Sequence, residues 1–191
     1  MLNGRKIEVL HNPALQNARR KAPFANIALI GMPGSGKSTI GRGLARRMNG
    51  WLSVDTDELL ASRAGQTLED LNKLLLPAAF LDIEEATILD LNGSGNIWST
   101  GGSVIYRSAA MEHLRKLALL VYLEVDYEVL TQRVGNPARR GVVLPNGQSF
   151  AELYAERTPL YRKFADLTIN TSSLRARTTV DELLPHLNRL V

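Results

Sequence analysis

Gly31-Met32-Pro33-Gly34-Ser35-Gly36-Lys37-Ser38-Thr39 lies between an apolar run, Ala25-Asn26-Ile27-Ala28-Leu29-Ile30, and a stretch of helical character over residues 39–48. A buried strand, a glycine-rich turn and a helix N-terminus make a cradle for anions. The glycines let successive N–H groups turn toward one point, and the helix dipole adds partial positive charge there. The spacing Gly, four residues, Gly-Lys-Ser predicts phosphate contacts from Gly34, Ser35, Gly36, Lys37, Ser38 and Thr39. Lys37 would reach the outer phosphates of a nucleoside triphosphate, and the Ser38 hydroxyl would sit on Mg²⁺.

Working outward, strand-like runs alternate with helical patterns: 25–30, 39–48, 51–54, 57–64, 77–91, 96–99, 107–115, 117–123, 127–134, 151–163, 167–170 and 179–190. This alternation predicts an α/β fold with right-handed crossovers, a central parallel sheet and helices on both faces. In such folds ligands gather at the carboxyl ends of the strands. The 191 residues suffice for one domain. We expect a basic extension over residues 1–22, an arm with a short strand at residues 7–10, followed by the nucleotide-binding domain over 23–191. Between two helices, residues 135–148 are rich in Gly, Pro and Asn and carry Arg139 and Arg140, which reads as a lid.

The formal charge of +4 belongs to the arm, where Arg5, Lys6, Arg19, Arg20 and Lys21 face Glu8 alone. The remainder is balanced and only 6% of residues are aromatic, so nucleic acid is not an expected partner. No apolar run approaches the ~20 residues of a membrane span. The absence of cysteine excludes disulfides and thiolate metal sites and fits a reducing, cytoplasmic setting.

Asp55 and Asp57 stand where the second strand meets the next helix. Two residues apart on extended backbone, both carboxylates would face the phosphate end of the sheet. One could hold Mg²⁺ through water while the other accepts a proton from an attacking hydroxyl. The same segment, Asp55-Thr56-Asp57-Glu58, has the spacing of a helix cap.

The phosphate loop, Asp55-Thr56-Asp57, Ser99-Thr100-Gly101-Gly102-Ser103-Val104, the lid arginines and Arg157-Thr158-Pro159-Leu160-Tyr161 together resemble the shikimate kinase family. The resemblance covers roughly residues 25–190 and implies a three-layer α/β/α P-loop kinase using ATP and Mg²⁺. It implies that Asp57 touches the acceptor hydroxyls, Asp55 lies near the metal, and Arg157 clamps an acceptor carboxylate. Arg139 or Arg140 would reach the transferring phosphoryl group, Arg133 would stack on adenine, and Gly101 and Gly102 would form a wall of the acceptor site.

Two departures stand out. Where the family has Phe-Arg, with that Arg as the second carboxylate clamp, this chain has Phe80-Leu81; and its third wall glycine is Ser103. Losing a full positive charge and its bidentate fork weakens the grip on a bare carboxylate. An acceptor with its own ammonium would be better served, with Arg157 on the carboxylate, Asp57 or Glu84 on the ammonium and Leu81 along the methylene stem. The sequence therefore favours a hydroxy amino acid such as homoserine over shikimate, the family's own acceptor. An ATP-binding regulator without turnover and a nucleic-acid-dependent ATPase are the rival classes. The small-molecule kinase is expected to be a monomer.

Overall fold

Alternation along the central strands decides which helices lie on which face. In β2 (Asn26–Ile30), Ala28 and Ile30 belong to one apolar cluster with Trp98, Met111, Leu114, Tyr122 and Leu153. Ile27 and Leu29 belong to the other, with Ile40, Leu44, Val121, Val180 and Leu183. Both faces are therefore covered, which is why the strand reads as a continuous apolar run. Truncating a fully buried member such as Leu120 or Leu183 to alanine costs about 2–5 kcal/mol.

The computed structural model describes residues 9–11, 24–135, 142, 147–173 and 175–191. Around β2 lie β1 (Val9–His11), β3 (Leu52–Asp55), β4 (Asn96–Ser99), β5 (Leu119–Glu124) and β6 (Leu167–Asn170). The order is β1-β6-β5-β2-β4-β3, with every pairing parallel except that of β1 with β6. The chain leaves β2 for β3 and β4 on one side and then crosses to β5 on the other. That reversal opens a crevice at the carboxyl end of β2, where the glycine-rich turn emerges.

Helices α1 (Lys37–Ala45) and α8 (Ala176–Leu187) cover one face; α5 (Ser108–Leu117) and α7 (Phe150–Phe164) cover the other. The segment after β3 forms α2 (Thr56–Ala64), α3 (Leu68–Leu74) and α4 (Pro77–Leu89), and α6 (Tyr127–Val134) follows β5. Leu60, Leu71 and Phe80 give α2–α4 a small core of their own. Among the described residues no helix is long and apolar enough to cross a membrane.

The three-layer α/β/α arrangement is the expected one. The strand anticipated at residues 7–10 is found at Val9–His11. Helix α3 is absent from the sequence reading, although Thr67 carries its cap: the Thr67 hydroxyl accepts from the Asp70 N–H at 3.1 Å. The greater part of the expected lid, including Arg139 and Arg140, lies outside the described residues.

Candidate active site

The donor half is built from one continuous segment. Gly36 takes φ 95° at the N-cap of α1, and no side chain caps that helix, so its first N–H groups face the crevice. Gly34, at φ 83°, passes so close to α6 that an added Cβ would lie 2.5 Å from a Val134 methyl. Ser35 is buried and its hydroxyl has no hydrogen-bond partner. The Lys37 ammonium folds back across the turn, donating to the carbonyls of Gly31 at 2.8 Å and Met32 at 3.0 Å.

Gly34, Ser35, Gly36 and Thr39 line a cavity of about 340 Å³ together with Arg133 and Arg175. Arg133 projects from the last turn of α6 and donates to the Thr171 carbonyl at 3.2 Å. The open amides, the orphaned Ser35 hydroxyl and the glycine cradle fit a triphosphate. Ser38, in the first turn of α1, and Asp55, at the end of β3, have the hard oxygen donors that Mg²⁺ takes.

Asp55 and Asp57 do not share an extended strand as expected. Asp55 is the N-cap of α2, its Oδ1 accepting from the N–H groups of Asp57 at 3.0 Å and Glu58 at 3.4 Å. Asp57 reaches the crevice from the first turn of that helix. The cap spacing in the sequence is thus realised, and it is what aims Asp57.

The other half draws on distant segments. A pocket of about 70 Å³ is lined by Lys37, Asp57, Glu84, Gly101, Gly102, Ser103 and Arg157, closed by Pro33, Leu68, Phe80 and Val142. Gly101 keeps this wall open: a Cβ would fall 1.9 Å from Glu84 Oε1 and 2.9 Å from Asp57 Oδ1, so a side chain here would push both carboxylates aside. At Gly102 a Cβ would sit 3.0 Å from Pro33 and 3.1 Å from Arg157 Nη1. The Tyr161 hydroxyl fixes this wall by donating to the Gly102 carbonyl at 2.6 Å. Leu81 is not among the lining residues. It faces a neighbouring cleft of about 960 Å³ with Ala78, Tyr106 and Glu156.

The charges in the pocket shift one another. Burial lowers the Lys37 pKa to about 8, against the pull of Asp57 and Asp55. Burial, helped by the neighbouring Asp55 charge, raises Asp57 to about 6 although Lys37 opposes it. Glu84, only 3% exposed, is raised by burial to about 7, while a hydrogen bond from Ser103 works the other way. Its Oε2 has no hydrogen-bond partner. Two carboxylates poised between acid and base forms, beside one ammonium and one guanidinium, can take up a proton and hold a small anion.

Sequence reading missed Leu68, which begins the overlooked helix α3, and Tyr106, which lies in a single 3₁₀ turn over Val104–Tyr106. Only the Thr67 cap signalled the first, and no motif marks the second.

A shikimate kinase family model matches residues 33–188. A shikimate kinase from Thiobacillus denitrificans is 36% identical over 151 residues, spanning 77% of this chain and 81% of the relative. One from Paracidovorax citrulli is 36% identical over 155 residues, spanning 78% and 84%. The solved shikimate kinase from Acinetobacter baumannii in complex with shikimate superposes with a TM-score of 0.75 at 26% identity, covering 91% of this chain and 97% of that one.

Proposed function

The chain belongs to the shikimate kinase family, and on that premise we propose that it phosphorylates a hydroxyl of a small carboxylic acid seated between Arg157 and Asp57. As a member it is an ATP-dependent phosphotransferase with an alcohol acceptor, using ATP with Mg²⁺. The observation that carries the acceptor reading is the convergence of Lys37, Asp57, Glu84 and Arg157 on one small pocket beside the phosphate cradle.

In this reading Arg157 grips the carboxylate and Gly101 and Gly102 let the acceptor approach the backbone. Asp57 accepts the hydroxyl proton as the acceptor oxygen bonds to the γ-phosphorus and ADP departs. Lys37 leaves the Gly31 and Met32 carbonyls to neutralise charge on the phosphoryl oxygens. ATP with Mg²⁺ supplies the phosphoryl group and its activation; the loop amides, Ser38 and Asp55 would hold it. Arg133 would pack on the base, and Arg139 or Arg140 would serve the phosphoryl group.

Shikimate is the first acceptor, because relatives and the liganded neighbour carry that name. Its hydroxyls can donate to the unpartnered Glu84 Oε2. A hydroxy amino acid such as homoserine is the second reading, favoured by one observation: beyond Lys37 and Arg157 no cation lines the pocket among the described residues, while two acids do.

The test is kcat/KM for shikimate and L-homoserine at fixed Mg·ATP. A preference above about tenfold, equal to ~1.4 kcal/mol, decides between them. The pH dependence of KM gives a second criterion. An ammonium needs ionised Glu84, so the KM for homoserine should fall as pH rises through about 7, whereas a hydroxyl donor gives a flatter profile. Nucleotide binding without turnover of either acid would overturn the reading.

A further inference from the structure

Arg157 is 2% exposed and projects from α7, its guanidinium lying against the wall at Gly102. Its Nε donates to the Tyr106 hydroxyl at 3.1 Å, and its guanidinium carbon lies 5.1 Å from the centre of the Tyr106 ring. Glu156 lines the same cleft and its carboxylate acts on the same hydroxyl: the contact lowers the Glu156 pKa, and burial together with Glu156 raises that of the tyrosine. Glu156 is held in turn by the Gln148 side-chain amide at 2.6 Å.

Because the Tyr106 hydroxyl presents a lone pair to Arg157 Nε, its proton is turned away from the guanidinium, toward the Glu156 side of the cleft. Arg157 Nε is thereby occupied, and only Nη1 and Nη2 remain for a ligand. Nη1 is the atom that an added Cβ on Gly102 would approach at 3.1 Å, so the free edge of the fork faces the pocket. A carboxylate held by both terminal nitrogens is gripped end-on, through a different edge of the planar guanidinium from the side-on grip that Nε and one Nη would give.

We propose that Tyr106 is the positioning residue for Arg157, and that Tyr106 with Glu156 sets an end-on grip on the acceptor carboxylate. This rests on the reading of Arg157 as the acceptor clamp. With leucine at position 81, Arg157 is the one guanidinium lining the pocket among the described residues, and its fork then has to hold the carboxylate at one angle. Tyr106, packed in the cleft that Leu81 also lines, supplies the rigidity.

The variants are Tyr106→Phe, which keeps the ring and removes the hydroxyl, Glu156→Gln, which retains an acceptor for the tyrosine proton, and Glu156→Leu, which does not. With whichever of shikimate and L-homoserine the wild type phosphorylates, Tyr106→Phe should raise the acceptor KM about tenfold. It should leave kcat and the KM for ATP within twofold. Glu156→Leu should raise the acceptor KM severalfold and Glu156→Gln should restore it. A purely structural role would instead lower the active fraction, and so kcat, without moving the acceptor KM.

A readout without acceptor accompanies the kinetics. In ¹⁵N-labelled protein the Arg157 Nε–H signal, assigned by its loss in Arg157→Lys, should be dispersed and slow to exchange with water. In Tyr106→Phe it should collapse toward the exposed arginines. Unchanged Arg157 exchange in Tyr106→Phe, or an unchanged acceptor KM there while Arg157→Ala raises it, overturns the proposal. An unchanged acceptor KM in Arg157→Ala overturns the clamp reading instead.

Discussion

The two halves of the crevice are made in opposite ways. The donor half is a single stretch, Gly31 to Thr39, whose turn geometry and helix dipole act on whatever follows β2. The acceptor pocket takes Asp57 from α2, Glu84 from α4, Gly101 to Ser103 from the turn after β4, and Arg157 from α7. A local motif tolerates change in the rest of the chain. A pocket assembled from four segments lets one substitution alter its chemistry while the phosphate grip stays intact.

The largest effect expected from testing this contrast lies in the donor half. Lys37→Ala should lower kcat at least a thousandfold while thermal unfolding stays close to wild type, because its bonds are to turn carbonyls; retention of a tenth of the rate would mean the cradle is misassigned. Asp57→Asn comes next, with a loss of about 10²–10⁴ in kcat/KM if it takes the hydroxyl proton. Wild-type kcat/KM should fall as pH drops through about 6, where Asp57 becomes protonated, and the pH–rate profile checks this.

The same carboxylate makes a stability prediction of definite sign. Its folded pKa lies above its unfolded value, so the folded state binds the proton more tightly and stability declines as pH rises from about 4 to about 6. Asp57→Asn should remove that decline and gain on the order of 2 kcal/mol at pH 8. Denaturant titration at pH 4 and pH 8 would show it, and equal changes at both would refute the assignment.

Arg157→Ala should raise the acceptor KM about thirtyfold or more and spare the KM for ATP, since one buried charge partner is worth ~2–5 kcal/mol. Damage to both constants would erase the distinction between the halves. The smallest effect belongs to Leu81→Arg, a severalfold shift of the kcat/KM ratio toward shikimate. Leu81 faces the adjoining cleft, so a new guanidinium must reach out of that cleft to contribute.

What was legible follows the same division. The P-loop, the parallel sheet and both buried faces are written in local spacing and period-two apolar runs. Asp57 is marked by its place where the second strand meets a helix, whereas Glu84, Gly101, Gly102 and Arg157 are reached only through the resemblance, since their meeting depends on crossovers that no local pattern encodes. The resemblance puts position 81 in the pocket, whereas the helix turns its side chain to the next cleft. Tyr106 escaped because its significance lies in the arginine whose Nε it accepts, about fifty residues onward.

One further consequence comes from the short antiparallel strand β1. Val9 pairs with Ile169, Leu10 with Thr168 and His11 with Leu167, so the hydrogen-bonding margin of β6 is occupied by the chain's own segment. Without it, β6 would present an open row of amides and carbonyls beside the apolar side chains of Leu167 and Ile169, a template for a foreign strand. These three residues guard the sheet against self-association, and protein lacking residues 1–11 should form aggregates at concentrations where the full chain stays dispersed.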